Sequence, residues 1–395
     1  MKETQTPSSK DGPSPDSGPA IAGDKLGLKV KPGFLARLSR AGESHLLDFV
    51  EAGLSHGELT LHLPSGASRV IRGENRGPDA EITFHNWRPV RRLFSEGSVG
   101  FADSYIDGDW DSPNLALFIE LAALNQLGNR NEVRGAALAK MLQRLIHGVR
   151  PNSKTGSRKN IAAHYDLGNS FYEAWLDETM TYSSAIYPRP DSDLATAQRR
   201  KYDHLIDLIG AQPGQHILEI GGGWGGFAEY AAKERDLNVT SITISERQFE
   251  YASERIEKAG LGNRVSIELK DYRDVEESFD HIVSIEMFEA VGEAYWPSYF
   301  NTLHDRLKPG GRAGLQVIYI HEQGFEQYRK NPDFIQTHIF PGGMLPSPAI
   351  FDARAAAAGL VKQIEKSFRL DYARTLREWR ERFERAVDEN VISDV

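Results

Sequence analysis

No cysteine occurs among the 395 residues, which excludes disulfides, thiolate metal sites and a cysteine nucleophile, and suits a reducing cytoplasm. No apolar run approaches the length of a membrane span, and residues 1–24 (MKETQTPSSKDGPSPDSGPAIAGD) lack the apolar core of a signal peptide. Those residues are rich in Pro, Ser, Gly and Asp, the composition of a disordered tail. An overall surplus of positive charge is also missing, and the net charge of −9 argues against general nucleic-acid binding. A soluble, cytoplasmic protein is the expectation. The chain is long enough for two domains, and 40% hydrophobic content allows a sizeable core.

One segment reverses the acidic balance. Between residues 130 and 160 stand eight Lys and Arg, among them Arg144, Arg150 and Lys154, against the single acid Glu132, a local balance of +7. Within it Ala137, Leu138, Met141, Leu142, Leu145 and Ile146 form a stripe at helical spacing. A basic amphipathic helix of this kind can lie on anionic lipid; the alternative is an ordinary surface helix followed by a loop.

Residues 57–71 (GELTLHLPSGASRVI) alternate apolar and polar around Pro-Ser-Gly, as a hairpin does, and "AEITFHNW" adds a strand. "RRLFSEGSVGFADSYIDGDW" and "LALFIELAAL" read as helices separated by a glycine-rich turn. The expected organisation is a tail over 1–24, a small α+β domain over 25–128, a basic helix and linker over 129–160, and a larger domain over 161–395. In that larger domain "HILEI", "NVTSITI", "RVSIEL", "FDHIVSI" and "RAGLQVIYI" are strand candidates with helical stretches between most of them, the pattern of a parallel, doubly wound α/β sheet.

The stretch "HILEIGGGWGGFAEYAAKE" (216–234) reads as a strand, a glycine turn and a helix. A helix N-terminus offers unpaired backbone N–H groups, and absent side chains let a ligand approach the main chain. Gly221-x-Gly223-x-x-Gly226 also satisfies the dinucleotide fingerprint. However, Glu219 stands two residues before the glycines and repels phosphate, and the bulky Trp224 occupies the first turn. An acidic turn suits the ammonium and sulfonium of S-adenosylmethionine better than the pyrophosphate of NAD. The remaining alternative is a turn that serves the fold alone.

Ligands of doubly wound sheets bind beyond the carboxyl ends of the strands. The second strand here ends in Thr243-Ile244-Ser245 with Gln248 following, so hydroxyl and amide groups dominate. The third ends in Lys270-Asp271-Tyr272-Arg273, where Tyr272 suits an adenine ring and Asp271 its amino group, unless the stretch is only a polar loop. The fourth runs into "SIEMFEAVGEAYWPSYF", where Glu286 and Glu289 precede a string of aromatics. Buried carboxylates are costly unless paired or used. Upstream, "HYDLGNSFYEAWLDETMTYSSAIY" holds six aromatics and His164. Together these predict an aromatic-walled pocket able to take an apolar chain and shelter positive charge; each ring alone reads equally as core.

The motifs "NIAAHYDLGNSFYEAWLDETMTYSSA", "LEIGGGWGGFAEYAA", "TISERQ", "SIEMFEAVG" and "DFIQTHIFPGGMLPS" resemble, in order, the cyclopropane fatty acid synthase family, which includes the mycolic acid methyltransferases. The resemblance covers most of residues 155–380. It implies a class I S-adenosylmethionine-dependent methyltransferase fold and methyl transfer to the cis double bond of an unsaturated phospholipid acyl chain. Tyr182, Ser183, Glu219, Gly221, Gly223, Trp224, Thr243, Gln248, Tyr272 and Arg273 would line the cofactor site. The family also implies a bicarbonate base, gripped at Ser184, Glu289, Gln316, Ile318 and Tyr372.

Two of these positions depart from the pattern: Ser184 stands where many members have Cys, and Gln316 where many have His. Ser and Gln still offer donors to an anion, but Gln cannot take up a proton as His can. Ring closure and branching share one cation, so the expected product is a cyclopropane chain, with a methyl-branched or methylated-olefin chain as the alternative. A small-molecule methyltransferase and a non-catalytic lipid-binding protein are the competing classes. The resemblance further implies peripheral association with the inner face of the membrane, and homo-oligomerisation as a family expectation.

Overall fold

The computed structural model describes residues 43–44, 46–126 and 167–392. The tail over 1–24 and the basic segment over 129–160 lie outside the described residues. The described chain divides into two compact units, residues 43–90 with 110–126, and residues 91–109 with 167–392. Residues 91–109, expected within the small domain, therefore group with the larger unit. Helix Arg88–Ile106 crosses the division and kinks at Gly97, whose φ of 75° only glycine adopts readily.

The smaller unit is a four-stranded sheet of β1 (His56–His62), β2 (Ser68–Arg72), β3 (Asn75–Phe84) and β4 (Trp110–Asp111), in the order β2-β1-β3-β4. β1 and β2 form the expected hairpin, with Leu59 opposite Ile71. The alternation has its physical use here, because Leu59 and Leu61 are buried. Trp110, read from sequence as part of a helical stretch, instead pairs with Phe84 as a short strand and sets its ring 5.4 Å from Phe118. Helix Leu115–Gln126 is tied to the start of β1 by Asn125, whose Oδ1 accepts from the backbone N–H groups of Ser55 (2.8 Å) and His56 (3.0 Å).

The larger unit holds five parallel strands, β5 (His216–Ile220), β6 (Asn238–Thr243), β7 (Val265–Leu269), β8 (Phe279–Ile285) and β9 (Leu307–Gln316), ordered β7-β6-β5-β8-β9. All five expected strands are present. Both faces are covered, which is why the strands read as continuous apolar runs rather than alternating ones. Ile217, Val239 and Val283 pack against helices Leu194–Ile209, Gly226–Glu234 and Glu246–Lys258. On the other face Leu218, Ile220, Ile242 and Ile282 meet helix Trp296–Arg306 and Phe351 of helix Pro348–Ala357. β9 starts at Leu307 and stops at Gln316, short of the expected "VIYI". The next donor that could extend it outward, the Ile318 N–H, bonds to the Glu289 carboxylate instead of a neighbouring strand.

The chain leaves β5 for β6 and β7 and returns to β8 on the other side of β5. The resulting switch point, beside the carboxyl ends of β5 and β8, is where such sheets bind ligands. A third cluster, built from Tyr172, Trp175, Trp224 and Trp379 with Tyr182 and Tyr372 packed against it, joins helix Arg369–Asp388 to the Tyr172–Ala185 stretch and the glycine turn.

Candidate active site

The glycine turn after β5 is tight on its inner side and open on the other. A Cβ at Gly222 would lie 1.9 Å from Ser241 Oγ, one at Gly221 would lie 2.7 Å from Met287 Cγ, and one at Gly226 would lie 2.5 Å from the Thr179 carbonyl oxygen. At Gly223, with φ +52°, a Cβ would meet nothing within 4 Å, so this part of the main chain stays accessible. Glu219 is buried beside the turn. Its register partner on β6 is Ser241, whose hydroxyl donates to Glu219 Oε2 at 2.6 Å. Burial pushes the Glu219 carboxyl up to about 7, against the lowering effects of the Ser241 hydroxyl and Lys201. A carboxylate poised in this way gains from a cationic neighbour, so the donor set fits the ammonium and sulfonium of S-adenosylmethionine.

At the end of β6 the Thr243 hydroxyl donates to Gln248 Oε1 at 2.9 Å, and Ser245 caps helix Glu246–Lys258. Thr243, Ser245 and Gln248 are all buried. After β7, Tyr272 is buried edge-on to Tyr299, and Arg273 folds back on Asp271 through Nε (2.7 Å) and Nη2 (2.6 Å). Asp271 thus holds Arg273, where sequence reading gave it to an adenine amino group. Trp224, expected against the cofactor, turns into the aromatic core: its indole N–H donates to Asn169 Oδ1 at 2.9 Å and its ring centroid lies 5.0 Å from that of Tyr172. The aromatics of the 171–182 stretch are core in the same sense, with Tyr182 half-buried at the edge of the cluster, 5.3 Å from Trp379.

Beyond β8 the chain turns sharply. Glu286 has φ +46°, a left-handed conformation that few non-glycine residues adopt. Because β8 pairs with β9, this turn sets Glu286 next to Gln316, and the carboxylate collects three donors from distant parts of the chain. Oε1 accepts from the Ser184 backbone N–H (2.9 Å) and from Gln316 Nε2 (2.7 Å), and Oε2 accepts from the Tyr372 hydroxyl (3.3 Å). Gln316 Nε2 also donates to the Ser184 carbonyl at 3.1 Å. Burial raises the Glu286 carboxyl, while Lys201 and these hydrogen bonds pull the other way. Residues that sparse in φ, ψ space persist where the surroundings hold them, and such positions concentrate at functional sites.

Glu289 lies one turn further on. Its Oε1 accepts from the Ile318 N–H, and its Oε2 is buried with no hydrogen-bond partner among the described residues. Burial, reinforced by the neighbouring Glu286, pushes this carboxyl up to about 8.

The five positions expected to grip bicarbonate are therefore brought together, but not around a free anion. Ser184, Gln316 and Tyr372 donate to Glu286, and Ile318 donates to Glu289. With their donors taken by two carboxylates of the chain itself, these residues do not fit a bicarbonate ion, and that expectation is corrected. Sequence reading noticed Glu286 as a carboxylate without giving it this place. It also passed over Lys201, which is fully buried on helix Leu194–Ile209 and donates to Ser183 Oγ at 2.5 Å. The signal was available: Leu194, Ala197, Lys201 and Leu205 follow helical spacing, so a lysine interrupts an apolar stripe.

The chain is also similar to known proteins. Residues 152–394 match the family model described as mycolic acid cyclopropane synthetase. The chain is 38% identical to the tuberculostearic acid methyltransferase UfaA1 of Mycobacterium tuberculosis, across 97% of this chain and 88% of that one. It is 35% identical to the cyclopropane-fatty-acyl-phospholipid synthase of Escherichia coli, across 80% of each. Among solved structures, it resembles the mycolic acid cyclopropane synthase CmaA1 complexed with SAH and CTAB, with 30% identity and a TM-score of 0.56 over 60% of this chain and 87% of that one.

Proposed function

The chain belongs to the mycolic acid cyclopropane synthetase family, and from that premise we propose that it transfers a methyl group from S-adenosylmethionine to the cis double bond of an unsaturated phospholipid acyl chain, giving a cyclopropane chain. The observation that carries this reading is the paired carboxylates Glu286 and Glu289 beyond β8, next to a glycine turn whose own carboxylate suits a cation.

S-adenosylmethionine supplies an electrophilic methyl when bound. Glu219, the Gly221–Gly223 main chain, Thr243 and Gln248 are the residues that would hold it, with Tyr182, Ser183, Tyr272 and Arg273 around them. A double bond is a poor nucleophile, so the protein must orient the acyl chain, exclude water and shelter the positive charge that develops on it. Tyr182 and Tyr372 lie at the edge of the aromatic cluster and offer ring faces for that charge. A methylated chain must then lose one proton. Glu286, held on three donors, is placed to accept it at a carboxylate oxygen, and Glu289, pushed up to about 8, holds a proton of its own at neutral pH.

The second reading, a methyl-branched or methylated-olefin product, draws support from the same carboxylate. A base fixed to the backbone selects which carbon gives up its proton, and the similarity to a tuberculostearic acid methyltransferase runs along nearly the whole chain. Retention of Glu219 and Glu289 favours an enzyme over a lipid-binding protein without catalysis. Contact with anionic lipid is supported by the basic segment 130–160, and no helix among the described residues is long and apolar enough to cross a membrane.

The test is incubation of the full chain with vesicles of a monounsaturated phosphatidylglycerol and methyl-labelled S-adenosylmethionine, followed by mass and NMR analysis of the acyl chains. One added methylene with no olefin left identifies the cyclopropane. The same added mass with an olefin retained identifies the second reading, and no label in the acyl chains overturns both.

A further inference from the structure

Helix Glu246–Lys258 packs closely on the glycine turn: a Cβ at Gly225 would lie 3.1 Å from that of Ala252. One turn further along that helix, the partly buried Arg255 reaches three separate segments of the chain. Its Nη1 donates to the carbonyls of Thr179 (2.9 Å) and Trp224 (3.4 Å), its Nη2 to the Glu178 carbonyl (3.1 Å), and its Nε to the Glu229 carboxylate. Trp224 belongs to the glycine turn and Glu229 to the helix that leaves it, whereas Glu178 and Thr179 open the stretch that leads to Tyr182 and Ser183. That stretch bends sharply: the Thr179 N–H donates to Asp177 Oδ2 at 2.9 Å, and Met180 follows with φ +54°. A non-glycine residue in this region persists only where its surroundings hold it. Arg255 holds the two carbonyls just before it. The end of the stretch is fastened by a different group. Gln198, buried on helix Leu194–Ile209, donates through Nε2 to the carbonyls of Thr181 (3.4 Å) and Ser183 (2.9 Å), and the Ser184 N–H reaches Glu286 at 2.9 Å.

A guanidinium presents its donors in a rigid planar fork, so it can serve several carbonyls and a carboxylate at once; an ammonium is a point charge on a flexible stem. Charge alone does not explain Arg255, because Glu229 takes only Nε and the other contacts go to backbone oxygens. We propose that Arg255 is a positioning residue of the cofactor site: it locks the Glu178–Thr179 backbone onto the glycine turn and thereby sets the affinity for S-adenosylmethionine without taking part in methyl transfer. The proposal rests on the reading of that turn as the cofactor site. Gln198 still holds Ser183 when Arg255 is lost, so the support of Glu286 by Ser184 survives. The effect therefore falls on the KM for S-adenosylmethionine rather than on kcat.

The measurement is calorimetric titration of the full chain with S-adenosylmethionine, alongside melting temperatures and initial rates in the vesicle assay. Arg255→Gln should raise the Kd at least about tenfold, the loss expected when several hydrogen bonds from a charged donor go together. Arg255→Lys keeps the charge beside Glu229 but not the fork, so its Kd should still rise at least about fivefold. In both variants the KM for S-adenosylmethionine should rise in step while kcat at saturation stays within about threefold of wild type. The control is Arg235→Gln. Arg235 follows the opposite end of helix Gly226–Glu234 and pairs with Asp203 (2.8 Å) and Asp207 (2.7 Å), so its loss should lower the melting temperature and leave the Kd unchanged. Wild-type affinity in a folded Arg255→Gln, full rescue by Arg255→Lys, or equal weakening by Arg235→Gln overturns the proposal. If Arg255→Gln does not fold, Arg255→Lys against Arg235→Gln decides by the same criteria. A wild-type chain that does not bind S-adenosylmethionine would instead remove the cofactor reading, and the proposal with it. The titration contains no acyl chain, so its outcome is independent of whether a phospholipid is the methyl acceptor.

Discussion

At the scale of single residues, the site is governed by where three carboxylates keep their charge. Glu286→Gln keeps the shape but gives up the proton acceptor, so turnover should fall at least about a hundredfold while calorimetric S-adenosylmethionine binding survives. Full turnover in that variant would remove Glu286 from the reaction. Glu289 gives a prediction about stability. Its folded carboxyl is raised from the ordinary 4.5 to about 8, so folding favours the neutral form, and the contribution to stability that is present below pH 4.5 is lost as pH rises through 8. Glu289→Gln carries no such charge. Its melting temperature should match wild type near pH 4.5 and exceed it near pH 8, and a constant difference across that range would refute the burial argument.

Sequence alone made Glu219 and Glu289 legible, because each sits next to a strand end rich in glycine or aromatics. The partners of Glu286 were not legible as such. Ser184, Gln316 and Tyr372 meet it from positions 102, 30 and 86 residues away, and only strand order and helix docking bring them together.

At the scale of elements, the β5 turn is the most constrained piece. Gly222→Ala would set its Cβ 1.9 Å from Ser241 Oγ, and Ser241 would have to release Glu219. Loss of a hydrogen bond to a charged group should weaken S-adenosylmethionine binding by at least about tenfold, read by calorimetry, whereas Gly223→Ala has open space and only the strain of its positive φ. This turn was readable because strand, glycines and helix are contiguous. The far end of β9 was not: "VIYI" has every local property of a strand, and a side-chain carboxylate 29 residues upstream in the chain takes the Ile318 N–H instead. Trp110 was misread for a related reason, since pairing with Phe84 prevailed over its helical surroundings.

At the scale of the whole molecule, the α/β architecture and its five parallel strands followed from the alternation of apolar runs and helical stretches. The division into units did not, because helix Arg88–Ile106 carries no composition shift where the grouping changes. Whole-molecule charge also carries a prediction. An acidic protein with one segment at +7 should approach anionic lipid through that segment. Replacing Arg144, Arg150 and Lys154 with Glu should weaken sedimentation with phosphatidylglycerol vesicles and leave S-adenosylmethionine binding unchanged. Undiminished co-sedimentation would assign lipid contact to another surface.

The reach of helix Arg369–Asp388 back to the site also bears on biosynthesis. Tyr372 lies 86 residues beyond Glu286, yet it donates to that carboxylate, while Thr375 accepts from the Ala185 N–H and Asp371 from the Tyr187 N–H. A growing polypeptide that has already made its sheet therefore lacks this support of the Glu286 carboxylate until helix Arg369–Asp388 has left the ribosome. The arrangement around Glu286 depends on contacts of long sequence separation, which form slowly.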